Sequence, residues 1–312
     1  MLKAFLSWII LQKISSFIDQ EHAYRVCDVA EENEPNMLPI QGYAKMPLVT
    51  LEEAVGPLVS IVPQVKHMVW TAKENCKDPL DNLSSNESAS IMLYSMPWPS
   101  PGKPFYIIFN EILRRGNRSL LKPWYLYFKL VITDLSKLPL GPHHLRRRIK
   151  KDISAHYSQG KRFIWWRFSS CTQSIHVPEN ELFWGKTGMR ILFHVHCKSG
   201  KDIRQHSMLK KEDEDLLLPA RQFNVISCLN VGNDLNIIDI EEIDPPYSLL
   251  EPLPAGYSLP LPPISQIKRS SSRHNPNLEE TIRKSSSHSI NLKGEQRKDQ
   301  DMDIVVKQAI IG

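Results

Sequence analysis

Lys211-Glu212-Asp213-Glu214-Asp215-Leu216-Leu217-Leu218-Pro219 is the most informative stretch of this sequence. Four consecutive acidic residues run into an apolar triplet that Pro219 closes. In an extended chain, side chains two apart share a face, so Glu212 and Glu214 point to the same side. Two carboxylates on one face repel each other, which suits acid–base work or the stabilisation of a cation. By itself an acidic quartet reads as a solvated turn, so its meaning depends on the surrounding chain.

Upstream, residues 46–138 carry a helical pattern. Thr50-Leu51-Glu52-Glu53 and Ser84-Ser85-Asn86-Glu87 have the spacing of capping boxes, in which a hydroxyl and a glutamate satisfy each other's backbone donors. Leu51, Val55, Leu58 and Val62 follow at helical spacing, with Pro57 placed to kink or split the run. Phe105, Ile108, Phe109, Ile112 and Leu113 form a further apolar face, and Pro123 opens an apolar stretch through Leu135. After Gly141 the texture changes to short runs rich in β-branched and aromatic residues, at 163–168, 190–197, 222–229 and 235–243. Helices first and strands afterwards predict an α+β domain instead of an alternating parallel sheet. No dinucleotide-binding glycine fingerprint and no phosphate loop occurs, so a bound nucleotide would need another scaffold.

The acidic stretch has ordered company. Before it come Trp165-Trp166-Arg167-Phe168-Ser169-Ser170-Cys171-Thr172, Gly185-Lys186-Thr187-Gly188, Ser199-Gly200-Lys201-Asp202-Ile203 and His206-Ser207. After it come Leu229-Asn230, Asn236-Ile237-Ile238 and Ile243-Asp244-Pro245-Pro246-Tyr247. With these segments the chain resembles the arginine-specific mono-ADP-ribosyltransferases of the R-S-E class, related in fold to cholera-toxin-like enzymes. The resemblance spans roughly residues 24–252. It implies a split β-sandwich core with an N-terminal helical part, and NAD+ as co-substrate in the cleft between the two small sheets. It implies no metal. The partner would be a protein acceptor with an accessible arginine.

Carried over residue by residue, the resemblance makes Ser170 of Ser170-Cys171-Thr172 the motif serine, with Thr172 beside it at the NAD+ site. Glu214 takes the catalytic place and Glu212 that of its paired glutamate. Residues 204–211 correspond to the loop that recognises the acceptor. Counting back from Lys150 and Asp152 selects Arg147 as the first-strand arginine, with Arg146 and Arg148 as adjacent alternatives. These residue types fit the chemistry. A guanidinium fork matches pyrophosphate oxygens in a bidentate way. Cleaving the nicotinamide–ribose bond builds positive charge on the ribose, which a fixed carboxylate stabilises. Glu212 would orient the acceptor guanidinium and draw off its proton.

Three positions depart from that family's pattern. Arg148 stands where glycine usually follows the first-strand arginine, and Arg167 where glycine usually precedes Phe168. Glycine there lets backbone approach a ligand closely, and a long cation can obstruct it or add a grip on phosphate. Asp215 stands where an apolar residue usually follows the catalytic glutamate, adding a third carboxylate to the group. These departures leave a second expectation open: an NAD+ glycohydrolase, or a catalytically weak nucleotide-binding member of the same fold.

The 312 residues suffice for one or two domains with a full core. Residues 1–42 read as a leader, 43–140 as the helical part, 141–252 as the β core and 253–312 as a Pro/Ser-rich basic tail unable to bury a core. The net charge of +5 is concentrated in a block from His143 to Lys151 and in that tail. The block is short and its following aromatics lie in one apolar strand, so nucleic acid is not expected as a partner. Five cysteines, widely spaced and with no CxxC, argue against a disulfide framework or a zinc site and for buried thiols in a reducing compartment. No transmembrane segment is expected, because the apolar run 4–11 is too short to span a bilayer. A cytoplasmic location is expected, with secretion as the alternative that this N-terminus allows.

Overall fold

The computed structural model describes residues 37–99, 102–174, 187–208 and 213–254. Both capping boxes form. Thr50 Oγ1 accepts from the Glu53 amide at 3.3 Å, and the Glu53 carboxylate accepts from the Thr50 amide at 3.0 Å. Ser84 and Glu87 repeat the exchange. Helix α1 (Leu51–Ala54) is cut short by Pro57, which lies in the 3-10 turn Gly56–Leu58. Its apolar stripe of Leu51, Val55, Leu58 and Val62 is nonetheless fully buried. There follow α2 (Val65–Asn75), α3 (Ser85–Ser95), α4 (Phe105–Leu113) and α5 (Tyr125–Lys137). Aromatic rings join them, with Phe109 stacked on Trp124 at 4.7 Å between centroids. Phe168 brings the sheet into the same cluster, 5.0 Å from Tyr94.

The strands are β1 (His144–Ile149), β2 (Arg162–Trp165), β3 (Ser169–Thr172), β4 (Arg190–His196), β5 (Lys201–Asp202), β6 (Glu214–Leu217), β7 (Arg221–Asn230) and β8 (Leu235–Ile243). They form one mixed sheet in the order β2-β7-β8-β4-β1-β3-β6-β5. The ladder almost divides in its middle: β1 and β4 share six residue pairs, whereas β1 and β3 share one, Arg146 with Thr172. Cys171 and Leu217, from the β3 and β6 side, bury in the same core as Leu145, Phe193 and Ile238 from the other side. The two parts of the sheet therefore face each other across a common core, as a split sandwich does. The opposite face of the β3–β6 part supplies Leu216 to the helical core.

Two sequence expectations are corrected. The leader does not extend to residue 42, because Ile40 is fully buried and exchanges backbone bonds with Leu249 and Glu251. The run 163–168 is not one strand: it breaks between Trp165 and Ser169, and β2 and β3 lie far apart in the sheet. The putting-away of cysteines holds for Cys76, Cys171 and Cys197, but Cys228 is exposed. Residues 255–312 and Cys27 lie outside the described residues.

Asp134 of α5 is buried against α3, where Ser90 Oγ donates to it at 2.5 Å. Burial pushes its carboxyl up to about 8, against the opposing Ser90 hydrogen bond. Because the folded pKa lies above the unfolded one, the folded state holds the extra proton between roughly pH 4 and pH 8. Stability is therefore greatest at the acid end of that window and falls as pH rises through it, by about 1.4 kcal/mol per pH unit at the steepest. Asp134→Asn keeps an acceptor for Ser90 and is expected to flatten this dependence. Urea midpoints from pH 5 to pH 9 measure it, and an unchanged slope in the variant would assign the pH dependence elsewhere.

Candidate active site

Glu214 opens β6 directly after Asp213, whose φ of 44° lies in the left-handed region that Asp tolerates better than most residues. Strand β6 pairs antiparallel with β3, setting Thr172 opposite Glu214 and Ser170 opposite Leu216. Paired residues project to the same side of a sheet. Ser170, Thr172 and Glu214 therefore share one face. Glu214 and Ser170 are each only 4% exposed. Ser170 Oγ is buried with no hydrogen-bond partner among the described residues.

Register sorts the arginines by face. The β1–β3 pair Arg146–Thr172 continues into the β3–β6 pair Thr172–Glu214, so Arg146, Thr172 and Glu214 make one row across three strands. At about 5 Å per step the row is about 10 Å long. Arg146 Nη1 donates to the Gln173 carbonyl at 2.7 Å, and Arg148 Nη2 to the Ser174 carbonyl at 3.1 Å, so both reach the end of β3 from this face.

Arg147, the first choice for the first-strand arginine, projects to the other face of β1. It lies between Leu145 and Ile149, which point into the core between the two parts of the sheet. It is 1% exposed, its guanidinium donates to the Ser170 carbonyl at 2.6 Å, and it lies 5.9 Å from the centre of the Trp165 ring. Nearby Cys171 is a buried thiol whose pKa burial raises strongly, so it is no nucleophile. The basic block is thus not an exposed run, since Arg147 and Arg148 are both buried. Arg167 is buried too, at 2%.

Asp215 also leaves the carboxylate group. It pairs with Cys171 and shares that residue's face, away from Glu214. Burial lifts its carboxyl to about 6, while a bond from Gln173 Nε2 at 3.0 Å pulls the other way. It abuts Gly141, where any Cβ would come within 2.8 Å of Asp215 Oδ1. Glu212 lies outside the described residues. A cavity of about 710 Å³ opens elsewhere, lined by Tyr43, Arg221, Glu242 and Tyr247, and none of Arg146, Ser170, Thr172 or Glu214 borders it. Among the described residues, no group of three or more His, Cys, Asp or Glu is arranged to hold a metal ion. No described helix is long and apolar enough to cross a membrane.

The structure is similar to mono-ADP-ribosyltransferases. The eukaryotic mono-ADP-ribosyltransferase ART2.2 matches with a TM-score of 0.45 and 16% identity, over 63% of this chain and 85% of that one. The Vis ADP-ribosyltransferase of Vibrio splendidus, solved in complex with agmatine, matches with a TM-score of 0.40 and 20% identity, over 65% and 90%. Exoenzyme S of Pseudomonas aeruginosa, solved with human 14-3-3 protein beta and carba-NAD, gives 0.42 and 16% over 61% and 87%. No protein-family model matches the chain. No curated protein matches it in sequence.

Missing from the sequence reading was the Arg146 row itself. Strand alternation separates Arg147 from its two neighbours, but only the partner strands say which face meets Glu214.

Proposed function

We propose that this protein transfers ADP-ribose from NAD+ to arginine side chains of proteins and releases nicotinamide. The observation that carries the reading is the row Arg146–Thr172–Glu214, with the buried Ser170 hydroxyl on the same face. A guanidinium and a carboxylate about 10 Å apart across three strands suit the pyrophosphate and the nicotinamide ribose of one dinucleotide. The unsatisfied Ser170 hydroxyl supports the fit, because a buried polar atom without a partner is costly unless a ligand completes it.

In this reading Arg146, in place of Arg147, grips the pyrophosphate, and Thr172 lies between it and the ribose. The glycosidic bond breaks with its electron pair leaving on nicotinamide, and Glu214 stabilises the ribosyl cation that remains. A guanidine nitrogen of the acceptor attacks that carbon and loses its proton. Glu212 takes the role of orienting the guanidine and accepting the proton.

The test is incubation of the purified protein with labelled NAD+ and a mixed protein acceptor, scoring nicotinamide release and protein-bound ADP-ribose separately. Free arginine should compete for the label. Transfer that arginine does not suppress would overturn the acceptor assignment. Nicotinamide release without any transfer would identify an NAD+ glycohydrolase, and neither product would defeat the reading.

A further inference from the structure

We infer that His206 is a positioning residue for Glu214, acting through the turn Ile203–His206; the inference rests on the catalytic place given to Glu214 above. His206 is completely buried, and both of its ring nitrogens are engaged. Nδ1 lies 2.9 Å from Ser88 Oγ on α3, and Nε2 lies 3.0 Å from Asp81 Oδ2 in the connection before α3. Ser88 Oγ in turn reaches Cys76 Sγ at 3.2 Å. These bonds join the turn to the helical part across 118 and 125 residues of sequence. A phenyl ring would fill the same space, so it is the two polar contacts that ask for histidine. Burying an imidazole is tolerable only when its nitrogens are satisfied.

The same turn holds the entry to β6 from its other side. Arg204 binds both oxygens of Asp202 and reaches Asp213 Oδ1 at 3.2 Å. The Ile203 amide donates to the Glu214 carbonyl at 3.1 Å, and the Ile203 side chain is fully buried in the helical core. Burial would raise the Asp202 carboxyl, but the bonds and charge of Arg204 outweigh it and hold it below the usual carboxylate range. The connection is thus continuous: α3 and Asp81 hold His206, His206 fixes the turn, and the turn fixes Asp213 and the Glu214 backbone. A carboxylate that stabilises a developing cation needs placement to within about 0.5 Å. The histidine supplies that placement from outside the sheet without touching substrate.

The experiment compares the full chain with His206→Phe, which keeps the ring but removes both bonds. Nicotinamide release should fall between about ten- and a hundredfold in kcat, while the NAD+ dissociation constant stays within about twofold. Exchange of the Ile203 amide should quicken by about tenfold or more relative to the sheet core. Asp81→Asn preserves an acceptor for Nε2 and should keep both readouts close to those of the wild type. It is also the milder variant should His206→Phe fold poorly, and Asp81→Ala then replaces it as the disruptive one. Unchanged Ile203 exchange, or a kcat loss matched by an equal loss of NAD+ binding, overturns the positioning role. A wild-type chain that releases no nicotinamide defeats the transferase reading instead, and the Ile203 exchange still decides whether His206 holds the turn.

Discussion

Glu214→Gln is expected to depress both NAD+ hydrolysis and transfer to arginine by about a hundredfold or more. That is the effect of removing a preorganised charge from beside a developing cation. The ribosyl cation forms whether water or arginine accepts it, so both reactions should suffer alike. Glu214 is buried, not on an exposed turn, but glutamine has nearly its shape and the backbone bond from Ile203 does not involve the side chain. The melting transition should therefore remain cooperative. Glu212→Gln is expected to behave differently, lowering arginine transfer while sparing hydrolysis, because water carries no guanidinium to orient. Released nicotinamide and protein-bound ADP-ribose, measured side by side, separate the two. Wild-type behaviour of Glu214→Gln in both assays would end its catalytic assignment. Equal losses of both activities in Glu212→Gln would end the acceptor role of Glu212.

Two adjacent arginines should fail in opposite ways. Arg146→Ala is expected to weaken NAD+ binding by about 10–100-fold, the loss of one or two charge-assisted hydrogen bonds, with little change in melting temperature. Arg147→Ala should cost roughly 2–4 kcal/mol of stability instead. It deletes a core side chain and strands the buried Ser170 carbonyl it serves. Calorimetric titration with NAD+ gives the first quantity and urea unfolding the second. A stable Arg147→Ala protein that no longer binds NAD+, beside an Arg146→Ala protein that does, would return the pyrophosphate to Arg147. The order of the three arginines in sequence cannot distinguish these outcomes. Their faces can.

Much of the helical part was legible because its signals are local. Thr50 with Glu53 and Ser84 with Glu87 are three residues apart, and Pro57 acts on the turn that contains it. The α+β class followed from the change of periodicity near Gly141, and Glu214 stood out by its segment. Strand β1 was harder to see as structure, since three consecutive arginines mask an alternation whose inward members are Leu145, Arg147 and Ile149.

What the sequence alone determined was therefore the chemistry available: an acidic entry to an apolar strand, a serine motif, and guanidinium groups within a few residues of one another. Which guanidinium groups share the face of Glu214 was decided by a single pair between β1 and β3, strands 26 residues apart at the pairing of Arg146 with Thr172. Asp215 was read as one of the acidic group, and only its pairing with Cys171 turns it into the core. The contacts of His206 with Ser88 and Asp81 span more than a hundred residues. The physical reason is common to the two strand cases. A strand fixes only that neighbouring side chains alternate, and the choice of face is made by the partner that bonds to its edge.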